Sequence, residues 1–103
     1  MVKLVGLIQK RPDLSTEAFH AHWLGVHAEI ARTLPGLRRY TVNFIDRAQH
    51  PDSAYDGFSE LWFDSREVLD AAFAGPEGAR ITADILRFIG TLTRVVVDEH
   101  VML

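Results

Sequence analysis

The chain alternates short apolar runs with polar punctuation. Val2 to Lys10 reads as a first strand that is apolar on both parities, with Val2, Leu4 and Ile8 on one and Val5 and Leu7 on the other. Arg11-Pro12-Asp13 breaks it, because proline cannot donate to a sheet ladder. Ser15 then reads as an N-cap, with Glu17 complementing the dipole of the first turn. Phe19, Trp23, Val26, Ile30 and Leu34 recur at helical spacing and predict one long amphipathic helix, stopped by Pro35-Gly36. Leu37 to Asp46 predicts a second strand, with Tyr40, Val42 and Phe44 on one parity and Thr41, Asn43 and Ile45 on the other. The polar stretch from Arg47 to Asp56 exceeds the ~2–5 residues usual for a hairpin loop, which marks it as a candidate binding loop. Gly57 to Phe63 predicts a third strand, alternating Phe58, Glu60 and Trp62 against Ser59, Leu61 and Phe63. Asp64-Ser65 caps a second helix running to about Ala74. Gly75 interrupts it, Pro76 restarts it, and it continues on Ile81, Ile85 and Phe88 to about Ile89, where Gly90 ends it. Leu92 to about Met102 predicts a fourth strand around Val95-Val96-Val97.

The order β-α-β-β-α-β is the ferredoxin-like split unit, an α+β fold with both helices on one face of a four-stranded antiparallel sheet. A sheet wetted on its other face should alternate apolar with polar residues. The first, third and fourth strands instead carry large apolar residues on both parities, so the second face needs a cover. A second copy of the same sheet is the simplest one, and the expectation is a homodimer. Hiding several hundred Å2 there would contribute on the order of 10 kcal/mol gross, with ordering and association offsetting much of it.

Composition narrows the function. The 103 residues leave room for one domain, 1–103, with a modest core. A formal charge of -3 and a pI near 5.9 argue against nucleic-acid binding. No apolar run approaches the ~18 residues that cross a bilayer, and the expected compartment is cytoplasmic, with no membrane partner. The absence of cysteine removes disulfides, thiolate nucleophiles and Cys-based metal sites. There is no Gly-rich phosphate loop and no Gly-x-Ser-x-Gly elbow.

Three blocks carry a resemblance. Arg11-Pro12-Asp13-Leu14-Ser15-Thr16-Glu17-Ala18-Phe19, followed by His22-Trp23-Leu24-Gly25-Val26-His27, resembles the opening of the EthD family. Leu34-Pro35-Gly36-Leu37-Arg38-Arg39-Tyr40 with Asn43 is similar to that family's next block, and Glu60-Leu61-Trp62-Phe63 to the third. Gly75-Pro76-Glu77-Gly78, Asp84 with Phe88, and Glu99-His100-Val101 match more loosely. The resemblance implies a dimeric α+β barrel, two ferredoxin-like sheets facing one another. It further implies binding of a small, often aromatic or lactone-like compound between helices and sheet, with no metal and no organic cofactor. Relatives in that superfamily include isomerases, decarboxylases, cyclases and monooxygenases. The family name comes from a protein associated with ether breakdown by a cytochrome P450 system. Some branches carry a reactive cysteine in the third strand, where this chain has Leu61.

Seven residues are candidates for the site. On a wheel of about 100° per residue that starts at Phe19, His27 falls at about 80°, at the edge of the apolar stripe. It is read either as a satisfied core-margin histidine or, as the resemblance implies, as an acid/base of tunable pKa. Glu60 shares a parity with Phe58 and Trp62; if that parity is buried the carboxylate is either a proton carrier or an ion-pair member, with Arg39 or Arg94 as partners across the dimer. Trp23 and Trp62 are pocket-floor or core aromatics. Tyr40 and Asn43 offer a phenol and an amide on opposite parities, and His50 offers an imidazole in the long loop. The same wheel sets His22 more than about 140° from His20 and His27, so the three histidines are not expected to form a metal site. The expected function is cofactor-free proton transfer, as in isomerisation, dehydration or decarboxylation, with His27 and Glu60 catalytic. The alternatives are a non-catalytic ligand-binding or accessory protein of an oxidative degradation pathway, and a cofactor-free monooxygenase.

Overall fold

The computed structural model describes all residues, Met1–Leu103. Four strands, β1 (Val2–Lys10), β2 (Arg39–Phe44), β3 (Gly57–Phe63) and β4 (Ile89–Asp98), form one antiparallel sheet in the order β2-β3-β1-β4. This is the ferredoxin-like order, with β1 and β3 central, the first helical arm leading from β1 to the edge strand β2, and β4 as the other edge. Helix α1 (Thr16–His22) runs through a π-helical segment, Trp23–His27, into α2 (Ala28–Ala31). Helices α3 (Arg66–Ala74) and α4 (Pro76–Ile85) follow β3. Both expected caps form: Ser15 Oγ accepts from the Ala18 amide at 3.0 Å, and Ser65 Oγ from that of Val68 at 3.2 Å. Gly36, at φ 80°, closes the first helical arm in the left-handed region that only glycine enters freely. No helix is long and apolar enough to cross a membrane.

Register divides the sheet into two unlike faces. Leu4 pairs with Leu61 and Val96, and Gly6 with Ser59 and Arg94; this parity, with Tyr40 and Val42 on β2, faces the helices. Phe19, Trp23, Phe63 and Phe88 are fully buried beneath α1, α3 and the chain leading into β4. The opposite parity presents Val5, Leu7, Phe58, Trp62, Val95 and Val97 on a face that no element of the chain covers.

Two boundaries differ from the sequence reading. The last helix stops at Ile85 rather than near Ile89, because Ile89 pairs with Lys10 and opens β4. Strand β4 therefore begins earlier than Leu92 and ends at Asp98, and Gly90 lies inside it, where a Cβ would come within 2.9 Å of the Lys10 carbonyl. Val26, expected on the buried stripe, is half exposed, and His27 takes the inward position. The cause is the π segment, whose wider i→i+5 turn shifts every later residue around the helix.

Candidate functional site

The floor of the site is set by the smallest pair on the central strands. Gly6 on β1 lies opposite Ser59 on β3, and a Cβ on Gly6 would meet Ser59 Oγ at 2.8 Å. The flanking pairs, Leu4 with Leu61 and Ile8 with Gly57, each carry at least one large side chain, so the two small residues leave a gap between sheet and helices. That gap is a cavity of about 40 Å3, and the whole depression including its open mouth is about 430 Å3. Its walls are mainly apolar, among them Leu4, Leu61, Phe73, Ile81 and Ile85; the polar groups on it are His27, Tyr40, Ser59 and Arg94. An apolar space with a few placed polar groups is the usual form of a small-molecule site. That space admits a few waters or one end of a ligand whose remainder lies in the mouth.

His27 roofs this cavity within a cluster that the sequence reading missed. Asp84 of α4 is 4% exposed and His27 is 8% exposed. His27 Nδ1 lies 2.8 Å from Asp84 Oδ2, and His22 Nε2 lies 3.0 Å from each Asp84 oxygen. A carboxylate only accepts, so both imidazoles donate to it. This assigns the Nδ1–H tautomer to His27 and leaves its Nε2 lone pair as the free basic position of a ring that lines the cavity. Burial pulls the His27 pKa below its ordinary 6.5, the Asp84 carboxylate pulls it back up, and the charges of His22 and Arg94 lower it further. The ring is therefore neutral at pH 7, held as a base. Burial also pushes the Tyr40 phenol pKa up, which keeps it a protonated donor. The indole of Trp23 opposes that shift without satisfying its own N–H, because Trp23 Nε1 is buried with no partner of hydrogen-bond geometry.

The π segment brings this cluster together. On a regular α-helix His22 and His27 diverge by about 140°. In an i→i+5 turn, residues five apart stack on one face, and both rings reach the same carboxylate. The expected neighbour of His27, His20, instead stacks on Phe44 with ring centroids 3.7 Å apart. No group of three or more His, Asp or Glu side chains is arranged to hold a metal ion. A signal for Asp84 does exist in the sequence: it is a charge on the helical stripe Ile81, Ile85, Phe88, at a spacing where water cannot satisfy it.

Of the expected site residues, His27 and Tyr40 meet at the cavity. Trp23 lies next to them in the core, packed on Phe19 and Phe44, and does not line it. Glu60, Asn43 and Trp62 lie on the opposite face of the sheet. There Glu60 accepts from Lys3 Nζ at 2.9 Å, Thr41 Oγ1 at 3.0 Å and Asn43 Nδ2 at 3.3 Å. Its partner is Lys3 of the same chain rather than Arg39 or Arg94. Although burial pushes the Glu60 pKa up, these donors hold it below the usual glutamate range. Trp62 donates to Glu99 at 2.9 Å and is flanked by Lys3 and Arg39. His50 is exposed on a loop that Arg47 pins through the Ser53 carbonyl and Asp56, and it borders a depression sharing no residue with the His27 cavity.

Fold and site together define a ferredoxin-like α+β protein with a His-Asp-His cluster, buried at His27 and Asp84, over a small apolar cavity. The chain belongs to the EthD domain family, which it matches over residues 11–91. It is 32% identical over 88 residues to an uncharacterised 11.0 kDa protein from the thcB–thcC intergenic region of Rhodococcus erythropolis, covering 84% of each chain. An ethyl tert-butyl ether D (EthD) family protein of Bacillus halodurans superposes with a TM-score of 0.85 at 32% identity, covering 97% of this chain and 99% of that one. A dimeric protein of unknown function with a ferredoxin-like fold, from Bacteroides fragilis, shares the fold at 15% identity, with a TM-score of 0.71 and 95% of each chain covered.

Proposed function

We propose that this protein is a homodimeric small-molecule enzyme that moves a proton on a small aromatic or lactone-like compound without metal or organic cofactor. The observation that carries the reading is the Asp84–His27 pair, buried and aimed so that one imidazole nitrogen is fixed while the other serves the cavity. Nε2 removes a proton from a carbon acid in the cavity and returns it to another position. Asp84 stabilises the imidazolium formed in between, as a buried carboxylate does for any acid/base histidine. Tyr40 donates to the oxygen on which charge develops. No activated nucleophile stands beside the pair, which favours isomerisation, dehydration or decarboxylation over hydrolysis.

Assembly through the open sheet face supports the same reading, since Val5, Leu7, Phe58 and Val95 have no cover within one chain. The test of the chemistry is hydrogen–deuterium exchange by NMR in D2O, with a panel of small lactones and aryl ketones. The expected result is exchange above the buffer rate with the wild type and loss of that excess in His27→Gln, with the variant still folded. Equal exchange by wild type and variant across the panel overturns the proton-transfer reading.

A further inference from the structure

Arg94 is a cation that the chain leaves without a counter-charge at the rim of the His27 cavity. It lies on the edge strand β4, opposite Gly6, and the missing side chain at Gly6 gives it room to turn over the sheet. Its guanidinium lies 5.4 Å from the Phe73 ring centre. Arg11, Arg32, Arg38, Arg47 and Arg66 all have carboxylate partners. Arg39, Arg80 and Arg87 lack one, but they are exposed, Arg39 against the Trp62 ring and the other two on α4 and the turn after it, and none of them lines the His27 cavity. Arg94 differs from these three. The residue as a whole is exposed, yet burial alone pulls its pKa down, and no group of the chain opposes that shift.

Its place in the cavity wall is specific. Ile85, Leu92 and Arg94 border both the enclosed cavity and an open depression of about 410 Å3 between α4 and β4. Arg94 thus stands at the neck joining the inside to solvent, and it is the only cation on that wall. A guanidinium at that neck with no carboxylate of the chain to pair with leaves its donors free, and a planar carboxylate takes two of them in parallel hydrogen bonds. One guanidinium among apolar walls matches one negative charge on an apolar body. A phosphate dianion would call for a second cation, and the wall has none.

We propose that Arg94 is the anion anchor of this site and that its ligand is a small organic carboxylate, held at the neck with its apolar end directed toward His27. The proposal rests on reading the His27 cavity as a ligand site, and it adds the chemical class of the ligand. It also implies coupling. The Arg94 charge disfavours the imidazolium, so a carboxylate that neutralises Arg94 makes His27 a stronger base once the site is filled.

The test uses butyrate and its neutral counterpart butan-1-ol, titrated into the 15N- and 13C-labelled protein and followed by chemical shifts. Butyrate should bind saturably with shifts at Leu92, Ile85 and His27, at least about tenfold more tightly than the alcohol, and should raise the His27 pKa. Arg94→Gln should erase the preference while keeping the fold, Arg94→Lys should keep part of it, and His27→Gln should keep it. Equal binding of acid and alcohol, no saturable butyrate binding up to about 50 mM, or a preference that survives Arg94→Gln overturns the anchor. An intact preference alongside absent deuterium exchange overturns only the proton-transfer reading.

Discussion

Replacing Asp84 by asparagine keeps the size of the side chain and removes what the cluster needs from it. The carboxylate accepts from two imidazole N–H groups at 2.8 and 3.0 Å while almost wholly buried. Asparagine has one acceptor oxygen, so one imidazole must face the amide N–H. If that ring is His27, it adopts the opposite tautomer, and the lone pair that served the cavity becomes an N–H. A hydrogen bond to a charged group is worth ~1.5–3 kcal/mol and a neutral one ~0.5–1.5, so two weakened bonds cost roughly 2–3 kcal/mol. Relief of the buried charge returns part of this, which leaves a loss of about 2 kcal/mol and a melting temperature lower by roughly 8–16 °C. The sign for His27 is independent of that sum. Both the hydrogen bond and the charge of Asp84 raise its pKa, so Asp84→Asn should lower it further. Urea unfolding at pH 7 reads the first effect, and an imidazole NMR titration reads the second. A variant within about 0.5 kcal/mol of wild type, the usual range of a bland surface change, with an unmoved His27 titration, would refute the role given to Asp84.

Two further outcomes follow from the same geometry. His27 has a folded pKa below 6.5, so as the pH falls below 6.5 the unfolded chain binds a proton that the folded chain refuses. Stability should therefore decline from about pH 6.5 downward until folded His27 itself titrates, with no contribution above. Urea midpoints in His27→Gln should lack this component, and identical pH profiles for the two proteins would rule it out. Sedimentation at micromolar concentration should give about twice the 11.6 kDa chain mass, and Val95→Asp on the open face should give a folded monomer; a monomeric wild type removes the dimer.

The fold was readable from local chemistry, and the site only in part. Strands β1 and β3 and the serine caps at positions 15 and 65 follow from apolar parity and from hydroxyls preceding helical stripes. These signals are set by near neighbours in the chain. The end of α4 was misplaced because Ile89 satisfies a helical stripe and a strand register equally well, and only its pairing with Lys10 decides. That His27 and Tyr40 border the cavity agrees with where the sequence put them, His27 at the edge of an apolar stripe and at a position matching the family motif, Tyr40 on an apolar strand parity. His22 and Asp84 were missed for a common reason. The angular argument assumed 3.6 residues per turn through Trp23–His27, and one wider turn moves His22 by roughly a quarter of a revolution relative to His27, onto the face that meets Asp84.

Glu60 shows what parity adds. A carboxylate on a largely apolar strand reads equally as a proton carrier or an ion-pair member when the two faces of the sheet cannot be told apart. Parity shows that Glu60 and Asp84 are on different sides, each solved in its own way. Glu60 is satisfied by one lysine and two neutral donors on the face left open. Asp84 is satisfied by two imidazoles, one of which still has a nitrogen to spare for a cavity. A fully satisfied network fixes structure, and on an otherwise apolar face it restricts how a second sheet can dock, since any register that strips Lys3 from Glu60 strands a charge. An acid/base needs the reverse, a group held firmly at one atom and free at another. Only the helix-facing side of this sheet has one.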